Sequence, residues 1–409
     1  MKGTNETMKR MDALLRQDWE KYAEIRHHLH AHPEKSNQEK ETAAYLTGWL
    51  RRAGIPCRTG LGGYGIIADI GTERNRPTVA IRADMDALAL SEASGLPFAS
   101  QTPGVMHACG HDVHMSALLT AGLILQQVKE SLSCGVRLIF QPAEENGPVG
   151  GAVPMISDGA LDGADIRAVF AAHAMPQIPE GAFAVVKGPA LAANDNFYVT
   201  VTGKGGHAAM PHACVNPLLA ASQLVLHFCA LPAQEICAHH AAVISVGKYS
   251  GGIRRNIIPE KAELEGTMRT FDPKDREKLM QRMDEISCGI ARSSQTDIRL
   301  VWQPSFPMGA NEPYAAQYLR NAISRHLGKD LLMEEFPPFM GSDDFAYFLR
   351  ERPGAILWVG TGIPGRPQEL HSPELSISDN VLKNLCRAFL AVAIDFPDFI
   401  EGRGMDTLL

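Results

Sequence analysis

A chain of 409 residues, 45% hydrophobic and 21% charged, has a globular balance and is long enough for two or three buried cores. Its formal net charge of −7 offers no basic face, which argues against nucleic acid or an anionic membrane as partner. The cysteines at 57, 109, 134, 214, 229, 237, 288 and 386 are scattered, with no C-x-x-C pair. A polar N-terminus and the lack of a long apolar run complete the expectation of a reducing, cytoplasmic setting.

In chain order, "RHHLHAHPE" (26–34) falls on a predicted helix ending before Pro33 and reads as packing and solvated surface. "EKETAAYLTGWLRRAG" (39–54) and "HMSALLTAGLILQQVKE" (114–130) read as helices. "YGIIADIG" (64–71), "TVAIRADM" (78–85), "GVRLIFQP" (135–142) and "IRAVFAAH" (166–173) read as buried strands. From 196 the grammar changes to alternating strands. "NFYVTVTGK", a helix over 216–231, strands at 241–250 and 261–270, a helix over 272–293 and the strand "DIRLVW" give the order β-α-β-β-α-β. The first pattern then returns with a helix after 312, the strand "AILWVG" (355–360) and a last helix near 379–395. The expected fold class is α/β: a catalytic domain with a mixed, mostly parallel sheet covered by helices (1–188 and 307–409), and an inserted α+β domain (189–306).

In an open α/β sheet, functional groups lie beyond the carboxyl ends of strands. Asp84 and Asp86 follow one strand, Glu144 and Glu145 a second, His173 a third, and His371 lies in the loop after a fourth. Cys109 and His111 lie just before a helix; two apart in an extended loop, they would point the same way. Glu144 and Glu145 are adjacent and would point to opposite sides of an extended segment, one binding metal and the other carrying protons. Cys109, His111, Glu145, His173 and His371 are five candidate ligands. That is one too many for a closed four-coordinate zinc, and it suits two cations sharing a bridging thiolate. His107 reads as a loop hydrogen-bonder and His114 as a first-turn helix residue.

The motifs "RADMDAL" (82–88), "HACGHDVHMS" (107–116), "FQPAEE" (140–145), "GKGGHAAMPH" (203–212), "RNIIPEKAELEGTMR" (255–269), "MGSDDFAYF" (340–348) and "LHSPE" (370–374) occur together in this order. The chain thereby resembles the dinuclear metal-dependent aminoacylase and carboxypeptidase-like amidohydrolases. Its cysteine-containing metal loop is similar to the branch of hippurate hydrolases, auxin-conjugate hydrolases and N-acyl-amino-acid deacetylases. The resemblance implies a lid-forming inserted domain that makes a homodimer or higher oligomer, and two divalent cations, manganese or zinc first, with cobalt or nickel tolerated. It implies Cys109 as bridge, with His111, Glu145, His173 and His371 completing the shells and Asp86 orienting a ligand. Glu144 would be general base and acid, His207 an oxyanion donor, and Asn256 and Arg269 the grip on the carboxylate of an N-acyl amino acid. Departures from the family pattern are Asp343 in "GSDDF", Ala89 after "DMDAL", and Asn216 on the first lid helix. The rival readings are a dipeptidase or carboxypeptidase with the same metals, a non-catalytic binding protein on this fold, and a single structural zinc.

Overall fold

The structure is a computed structural model and describes residues 2–72 and 76–406; Met1, 73–75 and 407–409 of the expected catalytic domain lie outside the described residues. The chain divides into two compact units. The first comprises Met1–Ala190, Ala310–Pro337 and Asp344–Leu409, the second Leu191–Gly309 and Pro338–Asp343. The expected boundaries are shifted by a few residues, and the short stretch Pro338–Asp343 goes with the second unit.

The elements up to residue 191 are α1 (Lys2–Gln17), α2 (Trp19–Ala31), α3 (Lys40–Arg52), β1 (Cys57–Leu61), β2 (Gly65–Ile70), β3 (Thr78–Asp84), α4 (His111–Gln127), β4 (Gly135–Gln141), α5 (Ala152–Ser157), β5 (Ile166–Pro179), β6 (Phe183–Ala184) and β7 (Gly188–Leu191). The second unit carries β8 (Ala193–Thr202), β9 (Gly206–His207), α6 (Pro217–Glu235), β10 (Ala242–Gly251), β11 (Ile257–Ile258), β12 (Lys261–Thr270), α7 (Pro273–Ser294) and β13 (Asp297–Pro304). The chain ends with β14 (Gly309–Asn311), α8 (Pro313–His326), α9 (Phe345–Glu351), β15 (Gly354–Gly362) and α10 (Asp379–Asp406).

The first unit is built on a seven-stranded mixed sheet in the order β1-β2-β4-β3-β5-β15-β6. Its centre, β4-β3-β5-β15, is parallel, while the β1-β2 hairpin and β6 run antiparallel at the two edges. Every residue of β3 and β4 is buried, which is why their sequences are near-continuous apolar runs rather than alternating ones. Helix α4 is buried over nearly its whole length because it packs on β3 and also against α2 and α10. Strand β5 is longer than the sequence predicts. His173 does not follow it but sits inside it, opposite Trp358, because β15 continues the pairing past that point.

The second unit is a four-stranded antiparallel sheet, β10-β12-β8-β13, with α6 and α7 against it. β8 alternates as expected for a half-buried strand: Phe197, Val199 and Val201 point into a core with Leu224, Phe228 and Met283. Asn216 caps α6, its side chain accepting from Leu218 N at 3.0 Å.

Arg82 lies on β3 with no exposed surface and organises the ends of the central strands. It donates to Asp84 Oδ2 at 2.7 Å, Asp344 Oδ1 at 2.9 Å and Gln141 Oε1 at 2.9 Å. Asp344 Oδ2 in turn accepts from Gly151 N and Ala152 N, anchoring the loop that follows β4. Removing the cation would leave buried carboxylates without their shared partner. Arg82→Ala is expected to destabilise the protein by about 3–5 kcal/mol, read from denaturant unfolding of the two variants side by side.

Candidate metal centre

The centre is assembled from the first unit. Gly110 precedes α4 in a left-handed conformation, φ +88°, and a Cβ there would stand 2.9 Å from Ala174 Cβ and 3.0 Å from Ile377 Cδ1. Only glycine allows this tight entry to the helix. It places Cys109 and His111 on either side of the turn, one donor atom of each lying with one of His173 in a group whose atoms are all within 4.8 Å of one another. Cys109 Sγ is 3.4 Å from His173 Nε2. A second group of the same tightness joins Cys109, Glu145 and His371, with His371 Nε2 3.2 Å from Glu145 Oε1. Cys109 is common to both. His371 is held at φ +60° while its amide donates to Ala108 O at 2.8 Å, tying the C-terminal loop to the cysteine loop.

The imidazoles are oriented by backbone carbonyls, which can only accept. His111 Nδ1 donates to Asp86 O at 2.8 Å and His173 Nδ1 to Ala174 O at 2.8 Å. In the neutral rings both Nε2 lone pairs then face the cluster. His114 adds a further brace: its Nδ1 donates to Asp84 Oδ1 at 2.7 Å and its Nε2 accepts from Ala174 N at 2.9 Å. Asp84 and His114 were missed as supports by sequence reasoning. The available signal was their spacing, His111 and His114 one helical turn apart and D-x-D at a strand end.

Glu144 and Glu145 depart from expectation. Ala143 takes φ +56° and the chain turns here instead of extending, so the two carboxylates do not part to opposite sides. An oxygen of each lies within 4.8 Å of a His111 nitrogen. Asp86 holds the turn, accepting from Glu144 N at 3.1 Å and Glu145 N at 3.0 Å.

The donor set fits divalent cations. His111 Nε2 is buried and has no hydrogen-bond partner among the described residues, and Glu145 Oε1 meets the imidazole of His371, itself a candidate ligand. Burial and the nearby Glu145, Glu144 and Asp84 carboxylates push the Cys109 thiol well above its usual 9. Burial works to lower His111, but Asp84, Asp86 and Glu145 hold it at about 10. Both shifts report the same surplus of negative charge, which a cation would relieve, deprotonating the thiol as it binds. Imidazole, carboxylate and thiolate together suit zinc, manganese and similar ions.

The remaining sequence candidates lie in the second unit. His207 is exposed on β9, paired with Ile257 on β11, and its Nδ1 accepts from Ala209 N at 3.1 Å. Asn256 is exposed, its carbonyl accepting from Ala208 N. Arg269 is half-buried on β12, donates to Ser342 Oγ at 2.8 Å, and has no ion pair among the described residues. Two other readings are corrected. His107 is not a loop hydrogen-bonder: it is buried, neither ring nitrogen has a protein partner among the described residues, and burial pushes it down to about 4. The "RHHLHAHPE" run is not all packing and solvated surface. Arg26 and His30 are buried and both meet Asp112, the residue after His111.

A model of peptidase family M20/M25/M40 matches residues 80–395. The chain belongs to that family. The M20 chain is 38% identical over 358 residues to an N-acetyl-L-cysteine deacetylase of Bacillus subtilis, covering 88% of this chain and 84% of that one. It is 35% identical to thermostable carboxypeptidase 2 of Saccharolobus solfataricus, over 93% and 96% of the two chains. Among solved structures it is similar to a dinuclear metal binding peptidase of the M20 family from Bacillus subtilis, with a TM-score of 0.79, 32% identity, and coverage of 92% and 97%. This M20 protein is a hydrolase of C–N bonds. No helix among its described residues is long and apolar enough to cross a membrane.

His30 yields a test of the support behind the cluster. Its Nδ1 is 3.0 Å from Asp112 Oδ2 and its Nε2 3.1 Å from Glu92 Oε1, so with both nitrogens facing carboxylates the ring is a cation. Burial opposes the charge, but Asp112 and Glu92 overcome it and raise His30 to about 9. The folded value stands above the ordinary 6.5, so the stabilisation is fully present below about pH 6.5 and is lost as pH rises through about 9. The stability gap between the parent and His30→Gln, on the order of 3 kcal/mol at pH 6, is expected to narrow steadily up to pH 9.5. A gap independent of pH would show that the ring is neutral.

Proposed function

We propose that this M20 hydrolase cleaves the amide bond of small N-acyl amino acids, and that Cys109, His111, Glu145, His173 and His371 hold two divalent cations, with Cys109 as the bridge. The observation that carries this reading is the pair of tight donor groups sharing one cysteine. The deacetylase named among the relatives supports the substrate class, and the dinuclear peptidase supports the cation count. Manganese or zinc is the first expectation, and cobalt or nickel would serve.

Bound cations would supply Lewis acidity, polarising the acyl carbonyl and acidifying water. The chain's own groups do the rest. Glu144 takes a proton from the attacking water and delivers it to the amide nitrogen, so that the C–N bond breaks to give a carboxylate and an amine. Asp86 keeps the Glu144–Glu145 turn in place through two amide hydrogen bonds. His207 stabilises the oxyanion. Its Nδ1 accepts a backbone N–H, so in the neutral ring Nε2 carries the proton and can donate. Arg269 and Asn256 bind the substrate's free carboxylate. A half-buried guanidinium without an ion pair among the described residues keeps its charge for a ligand. We further propose that the second unit acts as lid and dimerisation domain, and that the protein works in the cytoplasm.

A second reading, a dipeptidase or carboxypeptidase on the same cations, is favoured by the similarity to the archaeal carboxypeptidase. A panel of acetyl-, benzoyl- and indole-acyl amino acids against dipeptides, run on manganese-loaded protein, separates the two. N-acyl amino acids are expected to give the higher kcat/KM; a preference for dipeptides would select the second reading. Glu144→Gln is expected to keep both cations and lose about 1,000-fold in kcat, and substantial residual turnover would remove Glu144 from the role. Cys109→Ala is expected to bind fewer than two cations per chain by elemental analysis; two retained cations would exclude the bridge.

A further inference from the structure

Three consecutive amides, at Ala143, Glu144 and Glu145, end on carboxylate oxygens. Asp86 takes the second and third, and the first goes elsewhere: Ala143 N donates to Glu39 Oε1 at 2.8 Å. Glu39 has no exposed surface and stands immediately before α3, far from the metal motifs in sequence. The same Oε1 accepts from Asn37 N at 3.0 Å. The two residues whose amides it holds, Asn37 at φ +63° and Ala143 at φ +56°, are both left-handed and neither is glycine. A left-handed residue with a side chain persists only where its surroundings over-determine it. At Ala143 the turn matters because it gathers the two glutamates toward His111 instead of letting them part.

We infer that Glu39 is a positioning residue for the Glu144–Glu145 pair: its single acceptor oxygen locks the left-handed turn at Ala143 from one side while Asp86 locks it from the other. The inference rests on the reading of Glu144 as proton carrier and Glu145 as ligand. Reach is what counts, not charge. Oε2 of Glu39 is buried with no partner among the described residues, so only Oε1 acts on the turn. Glutamine keeps that acceptor at the same distance, whereas aspartate keeps the charge and falls one methylene short. Methionine keeps the length and removes the acceptor.

The experiment compares Glu39→Gln, Glu39→Asp and Glu39→Met with the parent, and includes Glu144→Gln. Amide hydrogen exchange of the peptide covering 142–146 is followed on metal-free protein. Competition with a chromophoric chelator gives the affinity for zinc, and kcat and KM are measured on N-acetyl amino acids. Glu39→Gln is expected to match the parent within about threefold throughout. Glu39→Asp, or Glu39→Met should the aspartate variant not fold, is expected to exchange at least tenfold faster at 142–146 and to bind the weaker zinc at least tenfold less tightly. It is also expected to lose about 30-fold in kcat with KM within threefold. Equal effects of glutamine and aspartate, or unchanged exchange in both the aspartate and the methionine variants, would overturn the inference. A lowered melting temperature with kcat and zinc affinity intact would overturn it as well, leaving Glu39 a merely structural group. Activity surviving in Glu144→Gln would instead sink the reading of Glu144, while the exchange data would still decide whether Glu39 holds the turn.

Discussion

His111 and His173 each donate an Nδ1–H hydrogen bond to a backbone carbonyl, and the rest of the cluster depends on that. The carbonyl leaves no choice of tautomer, so in the neutral rings the opposite nitrogens present lone pairs to the same small volume that contains the Cys109 sulfur. Around them stand more carboxylates than nearby cations can neutralise. Arg82 is committed to Asp84 and Asp344, and Arg26 to Asp112 and Asp379. The volume is therefore negative by construction, and it is the ordering of protons outside it that turns negative charge into ligands.

The supports are drawn from the rigid parts of the fold. Asp84 ends a strand buried on both faces, His114 lies on a helix buried nearly all round, and the Ala174 amide, which donates to the other side of the His114 ring, belongs to a strand paired on both sides. Side chains held by packed elements keep their aim better than those on free loops. The ligand candidates on loops are held by specific bonds instead: His371 through its own amide, Glu144 and Glu145 through Asp86.

Much of this was legible in the sequence because strand ends announce themselves. Apolar runs stopping at Asp84, Gln141 and Gly360 located three of the five contributing segments, the run at 166–173 pointed to His173, and Cys109 with His111 marked the fifth. Spacing failed where backbone conformation departs from the regular. Nothing in "FQPAEE" signals that Ala143 is left-handed, since that region is uncommon for any residue but glycine and alanine is not among those enriched there. Strand β5 could not be seen to run on past His173, because its continuation depends on β15, some 180 residues later. The burial of His30 and Glu39 was hidden for a related reason. Local polarity places such residues at the surface, and only tertiary carboxylates and amides, chosen by the fold, make their burial tolerable.

The two donor groups sharing Cys109 do not see solvent equally. Cys109, His111 and His173 are buried, whereas the His371 side chain is 54% exposed. On the proposed ligand set, one cation would be enclosed and the other would face the medium through a single loop. Such a protein exchanges its ions on two clocks. The metal it carries out of the cell would record its history at one position and the composition of the last buffer at the other.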